Sequence, residues 1–385
     1  MKILFFDPTS GPFSGAQKVT FNILKSLSIN SEIIAFIRKP KTKFRLSLEN
    51  ACHVRTLPLE STLSKIFGQA TFDSQNKFFK LIFLIKYFLI ILYLNIFCLF
   101  QAIKSKPSYI YTYDPSGLVA TSFLSGIFGY KVIWHLHGEL RYPKFVQRIL
   151  YHSCHSIIVP SNYIKENLLY SSKVKVIYNG FSFSEKKERL KKSKSTEILY
   201  MGTIVPHKGL HLLIESLHGI NDLKINVNVL GEGLGANSTD YKIYIDNLIS
   251  QLNSNINVNF HGWVDDIFNF LFLSDILVFP SIEEGSIFLG DKKIRIRSSE
   301  ALPTVLIESL ACGVPVIASN VAGVKEIVSK KNYGIIIKNS ETKSLQRAIV
   351  HLIKNSKDFE FDPNEIKLKF AETEMEKKIC NLFNS

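Results

Sequence analysis

The stretch EALPTVLIESLACGVPVIAS, residues 300–319, contains a helix start, a helix stop and an apolar strand in close succession. Pro303 and Thr304 favour a helix start, because proline suits the first helical turn and threonine can cap it. Gly313 followed by Pro315 favours a helix end. The apolar run that comes next predicts a buried strand. A helix that leads directly into a buried strand is typical of a parallel α/β sheet.

The same alternation continues over the chain in two successive sets. Apolar runs in the first half predict strands at 3–6, 32–37, 53–57, 109–113, 132–136, 157–160 and 175–178. Helical patterns between them predict helices at 16–27, 78–103, 116–128, 143–151 and 162–170. In the second half the predicted strands are 197–201, 224–230, 258–260, 276–279, 316–319 and 334–337. Two doubly wound, Rossmann-like domains are therefore predicted.

The length of 385 residues also fits two domains rather than one. The run SEKKERLKKSKS at 184–195 is basic and has no apolar period, so we interpret it as an interdomain linker. The predicted domains are then 1–183 and 196–363. The final stretch, 364–385, has a helical pattern and is predicted to pack back on the first domain.

Composition limits the class of protein. The chain is 46% hydrophobic and its formal net charge is +14, which favours an anionic partner such as nucleotide phosphate or acidic lipid. No zinc-finger, aromatic RNA-binding or basic helical pattern occurs, which argues against a nucleic-acid partner. The five cysteines are scattered without a CxxC pair, and the apolar run after Lys2 is too short for a signal peptide. A reducing, cytoplasmic location is expected.

Residues 81–100, LIFLIKYFLIILYLNIFCLF, form an apolar run with a single charge at Lys86. Four further lysines flank it: Lys77, Lys80, Lys104 and Lys106. The run is long enough to span a bilayer, but a spanning helix would divide the first predicted sheet between two sides of the membrane. Two alternatives remain, a buried helix that covers the sheet and a helix that lies partly in the lipid interface. The second would attach the protein to the inner face of the plasma membrane.

Glu300 and Glu308 lie near the predicted helix start in the quoted stretch. A helix N-terminus offers unpaired N–H groups and a partial positive charge, which together favour a diphosphate. Two carboxylates near that point are suited to accept hydrogen bonds from a sugar hydroxyl and a ribose hydroxyl. The residues alone leave an alternative open, in which both glutamates are ordinary surface side chains of an amphipathic helix.

The quoted stretch, with FPS (279–281) before it and GVKEIV (323–328) after it, resembles the C-terminal signature of glycosyltransferase family four. Other motifs follow in the family's order: Ser14-Gly15, His137 in HLHG, Ser161, Asn179-Gly180, GTIVPHKG (202–209), LGEG (230–233), FHGWVDD (260–266) and SDILVFPS (274–281). The resemblance spans nearly the whole chain. It implies an α/β protein of GT-B fold, with two Rossmann-like domains facing across a cleft.

The resemblance also implies roles at matching positions. Glu300 would contact the donor sugar, His137 would lie near the transferred sugar, and Lys208 would neutralise the diphosphate, so these three form the expected catalytic set. The expected substrate-binding set is Gly15, Gly202, Thr203, Lys208, Gly231, Gly233, Gly262, Val264, Leu302, Pro303, Thr304, Val305 and Glu308. Within that set Glu308 would bind the ribose, and N–H groups of residues 302–305 would face the sugar and phosphate.

The implied reaction moves a hexose-type sugar, with retention, from a nucleoside-diphosphate sugar to a glycan or lipid-linked acceptor. Bacterial members of this type build lipopolysaccharide, capsule or exopolysaccharide. The resemblance implies no cofactor and no essential metal. The spacing of His135 and His137 suits a pair of metal ligands, but no third ligand follows at a convincing spacing.

Two departures from the family pattern leave alternatives open. Thr203 stands where an arginine that holds phosphate is common, which is compatible with an inactive GT-B subunit that binds a partner glycosyltransferase. A sugar-nucleotide epimerase of similar shape is a further alternative. Residues 282–299 resemble an insertion that adds Glu283 and Glu284 as competing sugar-binding carboxylates, although only Glu300 lies eight residues before Glu308. The alternation KIRIR at 293–297 predicts a basic edge hairpin within this insertion.

Overall fold

The computed structural model describes residues 1–9, 15–38, 42–59, 77–140, 142–183, 195–235, 237–298, 300–338 and 341–384. The chain divides into two units, Met1–Gly180 together with Glu372–Ser385, and Phe181–Ala371. Each unit has its own parallel sheet and its own apolar core. The predicted linker, apart from Ser195, lies outside the described residues.

The first unit is built on a seven-stranded parallel sheet of order β3-β2-β1-β4-β5-β6-β7. Its strands are β1 (Lys2–Asp7), β2 (Glu32–Ile37), β3 (His53–Thr56), β4 (Tyr109–Tyr113), β5 (Val132–His135), β6 (Ser156–Val159) and β7 (Val174–Val176). The helices between them are α1 (Gly15–Ser28), α2 (Lys43–Glu49), α3 (Lys77–Ser105), α4 (Asp114–Gly117), α5 (Phe123–Ile127), α6 (Lys144–His152) and α7 (Asn162–Glu166). A π-helical turn, Leu118–Ser122, joins α4 to α5. The central strands are buried on both faces, which explains their uninterrupted apolar sequences.

The second unit has a six-stranded parallel sheet of order β10-β9-β8-β11-β14-β15 and a separate two-stranded hairpin, β12-β13. Its strands are β8 (Thr196–Met201), β9 (Ile225–Leu230), β10 (Ile256–Gly262), β11 (Ile276–Phe279), β12 (Glu284–Leu289), β13 (Lys292–Arg297), β14 (Val316–Ser319) and β15 (Gly334–Ile337). Its α-helices are α8 (Leu210–Leu217), α9 (Ser238–Ile249), α10 (Phe268–Leu273), α11 (Thr304–Ala311), α12 (Val324–Ile327), α13 (Thr342–Lys354) and α14 (Asn364–Lys369). Short 3₁₀ turns occupy Pro206–Lys208, Lys331–Tyr333 and Ser356–Phe359.

The C-terminal segment differs from the single helix predicted at 364–385. It forms two helices, α14 in the second unit and α15 (Glu372–Phe383) in the first. At the break between these helices, Ala371 forms a β-bridge with Phe181 and so leaves the helical path. Helix α15 then buries Met375, Ile379 and Phe383 in the core of the first unit. Only the part from Glu372 onward therefore joins the first unit.

Predicted and observed elements agree for all thirteen parallel strands, with end shifts of one or two residues. The errors are local. Helix α2 was not predicted, because its seven residues KFRLSLE are too short and polar to show a helical period. The helix predicted at 162–170 ends at Glu166. Pro303, and not Thr304, occupies the cap position of α11.

The long apolar helix α3 is mostly exposed, so the alternative of a buried helix covering the sheet is wrong for most of its length. Only Leu94, Asn95, Cys98 and Ala102 are buried among its described side chains. The stretch Leu81–Ser105 has a mean hydropathy of 2.4 and passes, by length and composition, as a possible membrane span. It is the one such helix among the described residues.

Candidate active site

The carboxyl edge of the second sheet gathers most of the predicted site residues. Strand β8 has β9 and β10 on one side and β11, β14 and β15 on the other, so the chain reverses its direction of winding between β8 and β11. Ligands of open parallel sheets bind outside the carboxyl ends of strands at such a point. Lys208 follows β8, and Glu300 with helix α11 follows β11. Topology therefore places these groups on the two sides of the expected binding position.

Lys208 and Glu300 form an ion pair between Nζ and Oε1. The side chains are 24% and 14% exposed respectively, so solvent screens the pair only in part. The Lys208 ammonium also lies 5.8 Å from the centre of the Phe279 ring, within cation–π range. The structure thus brings together two residues that are 92 positions apart and that were predicted separately.

Glycines shape the loop that carries Lys208. A Cβ on Gly231 would lie 1.9 Å from the carbonyl oxygen of Gly202, so the loops after β8 and β9 pack together only without a side chain there. Gly209 has φ +71° and its Cβ would lie 2.0 Å from the Pro280 oxygen. Gly209 and Gly231 are therefore required by backbone packing, and that packing fixes the position of Lys208.

Helix α11 starts beside Glu300 without a side-chain cap or an acidic residue in its first turn. Leu302 and Pro303 are buried, while Thr304 and Val305 are half-buried at the first turn. Glu308 lies one turn further along the helix and is also half-buried. An uncapped helix N-terminus next to an ammonium group provides two sources of positive potential for an anion. The predicted diphosphate position therefore has the required electrostatics.

The loops after β9 and β10 hold the remaining predicted residues of this unit. The Gly231 N–H donates to the Gly262 carbonyl at 2.8 Å, and Ile204 forms a β-bridge with Gly233. Gly202, Thr203 and Val264 are half-buried in the same set of loops. The Trp263 side chain between them is 73% exposed. These loops form one connected edge, and its exposed indole is a flat surface suited to a nucleobase.

The insertion at 282–299 contains the hairpin β12-β13, in agreement with the predicted basic hairpin. Its apolar side chains Ile287, Leu289 and Ile296 are buried in the core of the second unit. The Ile282 N–H donates to the His207 carbonyl at 2.8 Å, which ties the hairpin base to the Lys208 loop. Glu284 forms an ion pair with Arg295, so this competing carboxylate has a structural partner on the hairpin itself.

His137 belongs to a buried polar cluster at the corresponding edge of the first sheet, where winding reverses between β1 and β4. Thr20 Oγ1 lies 3.4 Å from His137 Nε2, and the centre of the tilted His135 ring lies 4.0 Å from the centre of the His137 ring. Burial lowers the pKa of His137 to about 3. The imidazole is therefore neutral at physiological pH and can serve as a hydrogen-bonding group.

Two carboxylates in this cluster were not among the predicted site residues. They are Asp7 at the end of β1 and Asp114 directly after β4. Asp7 accepts hydrogen bonds from Thr9 N at 2.7 Å and from the Tyr113 hydroxyl at 3.0 Å. Burial raises the pKa of Asp7 to about 6, although these hydrogen bonds oppose the rise. Burial also raises the pKa of Asp114 to about 6. Their positions directly after buried parallel strands were the available signal.

Asp114 has a further unusual feature, a φ of +55° in a residue other than glycine. Its carboxylate accepts the His137 backbone N–H at 3.3 Å, and its carbonyl accepts the Trp134 indole N–H at 3.0 Å. Backbone strain of this kind is concentrated at functional sites. Gly15, predicted to approach phosphate, is the exposed first residue of α1, whereas Ser14 lies outside the described residues.

No group of three or more His, Cys, Asp or Glu side chains suited to a metal ion occurs in the part of the chain that the structure describes. The neighbouring His135 and His137 accordingly lack a third ligand there. His135 Nδ1 lies 2.8 Å from the Tyr111 hydroxyl, and its buried Nε2 has no hydrogen-bond partner within the described ranges. The pair is thus part of the buried hydrogen-bonding cluster.

Comparison with known proteins finds a related family and related folds. Residues 182–365 match the family model of glycosyl transferases group 1, which is nearly the whole second unit. An uncharacterised glycosyltransferase of Methanocaldococcus jannaschii is 31% identical over 52% of this chain and 50% of its own length. The capsular polysaccharide biosynthesis glycosyltransferase CapM of Staphylococcus aureus is 30% identical over 51% of this chain and 49% of its own. The chain thus spans about half the length of these curated relatives.

The fold itself matches over the full length. The crystal structure of Anabaena HepE in complex with UDP superposes with a TM-score of 0.74 at 19% identity and covers 100% of both chains. HepE has also been solved with UDP-glucose. The predicted GT-B architecture of two parallel-sheet α/β domains is therefore confirmed. The family match and the relatives support a glycosyltransferase as the class of protein.

Proposed function

From the glycosyl transferases group 1 match in the second unit, we propose that this chain is a retaining glycosyltransferase. It moves a hexose-type sugar from a nucleoside-diphosphate sugar to a glycan or lipid-linked acceptor in the synthesis of a cell-surface polysaccharide. The observation that carries this proposal is the Lys208–Glu300 pair beside the uncapped start of α11. The capsular polysaccharide role of CapM and the UDP bound to HepE support the acceptor and donor classes.

In the proposed reaction, the acceptor oxygen forms a bond to the anomeric carbon as the bond from that carbon to the diphosphate breaks. The acceptor hydroxyl proton leaves with the departing phosphate or passes to solvent. Negative charge grows on the diphosphate, and Lys208 with the N–H groups of Thr304 and Val305 would stabilise it. These groups supply positive charge to the diphosphate, and the proposed reaction uses no essential metal ion.

The proposed binding mode requires Lys208 to exchange partners. In the structure its ammonium contacts Glu300, and on donor binding it would contact the diphosphate. Glu300 would then be available to accept a hydrogen bond from a hydroxyl of the donor sugar. Glu308, one turn along α11, would accept a ribose hydroxyl. The expected place of His137 near the transferred sugar is part of the same proposal.

A thermal-shift screen of UDP-, GDP- and ADP-sugars tests donor binding. Ligand at a hundred times its Kd stabilises the native state by about 2.7 kcal/mol, which raises the melting temperature of a unit of this size by about 5–10 °C. We expect such a shift with at least one donor and a smaller shift in Glu308→Ala. Glu283→Ala is the matched control, because this exposed carboxylate belongs to the insertion and should leave the shift unchanged.

A product assay then separates a transferase from the alternatives. A transferase releases nucleoside diphosphate in an acceptor-dependent manner and forms a glycoside whose anomeric configuration matches the donor, as read by NMR. Formation of the epimeric sugar nucleotide from the donor, without acceptor, would identify an epimerase. Binding without turnover of any donor and acceptor pair would support an inactive subunit, and the absence of all nucleotide binding would refute the proposal.

A further inference from the structure

Helix α3 presents a long apolar stripe to solvent. Six large side chains recur every three or four residues and are between 40% and 64% exposed: Leu81, Ile85, Phe88, Leu92, Ile96 and Phe100. This spacing puts them on one side of the helix, over a length of about 30 Å. An exposed apolar surface of this extent is rare on soluble proteins and indicates an interaction site.

The outward orientation of the stripe is fixed by contacts on the opposite side of α3. Asn95 donates to the Val119 carbonyl at 2.9 Å and accepts the Leu124 N–H at 3.0 Å, which ties the helix to the π-helical turn and α5. Leu94, Cys98 and Ala102 are fully buried on the same side. The side that packs on the first unit is therefore occupied, and the stripe cannot turn inward without breaking these contacts.

Helix α6 extends the exposed surface. It contacts α5, which in turn contacts α3. Phe145 and Ile149, one turn apart on α6, are exposed, and so are the cationic Lys144 and Arg148. Burial, with a contribution from neighbouring Tyr142, raises the pKa of the Tyr87 phenol, so the segment before α6 lies near α3. We call the exposed side chains of 81–100 on α3, with Phe145 and Ile149, the α3 platform.

Charge identifies the partner of the α3 platform. Residues 77–152 contain nine lysine and arginine residues but only two acidic residues, Asp114 and Glu139. Lys86 and Lys104 on α3 are exposed, like the two cations of α6. A second copy related by a twofold axis would bring this basic surface against itself with almost no acidic partner. An anionic lipid surface satisfies both the apolar stripe and the cations around it.

The topology also determines how α3 meets the lipid. The helix connects β3 to β4, which belong to one sheet, and β4 pairs directly with β1. A helix that crossed the bilayer would leave these strands on opposite sides. We propose that the α3 platform lies in the plane of an anionic bilayer surface and holds the first unit there as a peripheral membrane protein. This attachment does not depend on the identity of the donor or the acceptor.

Vesicle co-sedimentation of the full chain tests the proposal. Wild type should bind phosphatidylcholine vesicles that contain phosphatidylglycerol, and bind them better than vesicles of phosphatidylcholine alone. Ile85→Glu, Phe88→Glu and Leu92→Glu combined should weaken binding by about tenfold or more, because three charges would enter the apolar interface. The matched control combines Ile29→Glu, Leu234→Glu and Ile243→Glu, three exposed apolar positions that do not belong to the platform, and should bind more tightly than the platform variant.

A second variant keeps the test valid if the triple substitution perturbs folding. Lys86→Gln, Lys144→Gln and Arg148→Gln leave the apolar stripe intact and should reduce the preference for phosphatidylglycerol and its sensitivity to salt. Wild type that binds neither vesicle type would overturn the proposal, as would a platform variant that binds like wild type. A dimer that the platform variant converts to a monomer, without vesicle binding, would assign the surface to a second copy instead. No nucleotide is present, so failure here is distinct from failure of the proposed transferase activity.

Discussion

Replacement of Lys208 tests the donor site most directly. Lys208→Ala removes the ammonium that pairs with Glu300 at a position where both side chains are largely shielded from solvent. A charge-assisted hydrogen bond at such a site contributes about 1.5–3 kcal/mol, and each 1.4 kcal/mol changes Kd about tenfold. We therefore expect the Kd for the preferred nucleoside diphosphate to rise by about 10- to 100-fold in titration calorimetry.

Glu300→Gln should act in the opposite direction on binding. The amide holds Lys208 less tightly and removes a negative charge that faces the diphosphate, so the Kd should fall by about threefold, equivalent to roughly 0.7 kcal/mol. Sugar transfer should nevertheless fall, because the amide is a poorer acceptor for the sugar hydroxyl. In the double variant, Glu300→Gln should restore part of the affinity lost in Lys208→Ala, since an unpaired carboxylate no longer repels the ligand.

The control for this series is Lys242→Ala in the same unit. Lys242 forms an i,i+4 ion pair with Asp246 on α9, and its side chain is 67% exposed. Nucleotide affinity should not change in this variant. If Lys208→Ala bound the diphosphate within about threefold of wild type, the assignment of this lysine to the phosphate would be refuted.

Three further predictions concern residues that support the fold of the two units. The folded pKa of Asp7 is raised from 3.8 to about 6, so the unfolded chain ionises first and the native state loses stability as pH rises through this range. The unfolding free energy of wild type relative to Asp7→Asn should fall by roughly 2–3 kcal/mol between about pH 4 and pH 7 in urea titrations, with exposed Asp222→Asn as the control variant. Gly231→Ala should abolish nucleotide binding, because its Cβ would lie 1.9 Å from the Gly202 oxygen. Gly285→Ala, whose Cβ would make only an ordinary contact at 3.5 Å with Ile282, should retain it. Ile379→Ala in α15 should destabilise the first unit by about 2–5 kcal/mol in denaturant melts, whereas Leu368→Ala at an exposed position of α14 should have little effect.

The sheets were predictable because buried parallel strands have a simple sequence pattern. Runs such as EIIAFI and YIYTY are apolar on both faces and are followed by helices, so their positions follow from composition alone. The interruption between α14 and α15 was not predictable in this way. It depends on a bridge between Phe181 and Ala371, two residues that no local pattern relates.

The exposure of α3 shows a second limit. Residues 81–100 are apolar on every side, so no helical period indicates which side is buried. The decision rests on Asn95, whose amide finds partners at Val119 and Leu124 in the following elements. Asn95 inside the apolar run indicated the packed side of the helix, but only the fold supplies the groups that form hydrogen bonds with it.

The residues at the carboxyl edges of the two sheets differ in how well the sequence could predict them. In the second unit, Lys208, Glu300 and the start of α11 lie on loops whose shape requires glycine and proline. The glycines and prolines in the sequence therefore indicated where these site residues lie. In the first unit, His137 lies in the motif HLHG, which predicts it, whereas Asp7 and Asp114 come at the ends of buried strands without any motif. Burial raises the pKa of both carboxyls to about 6, whereas the Lys208 charge is balanced by Glu300. A shift caused by burial depends on the depth of each carboxylate in the folded unit, which the sequence does not record.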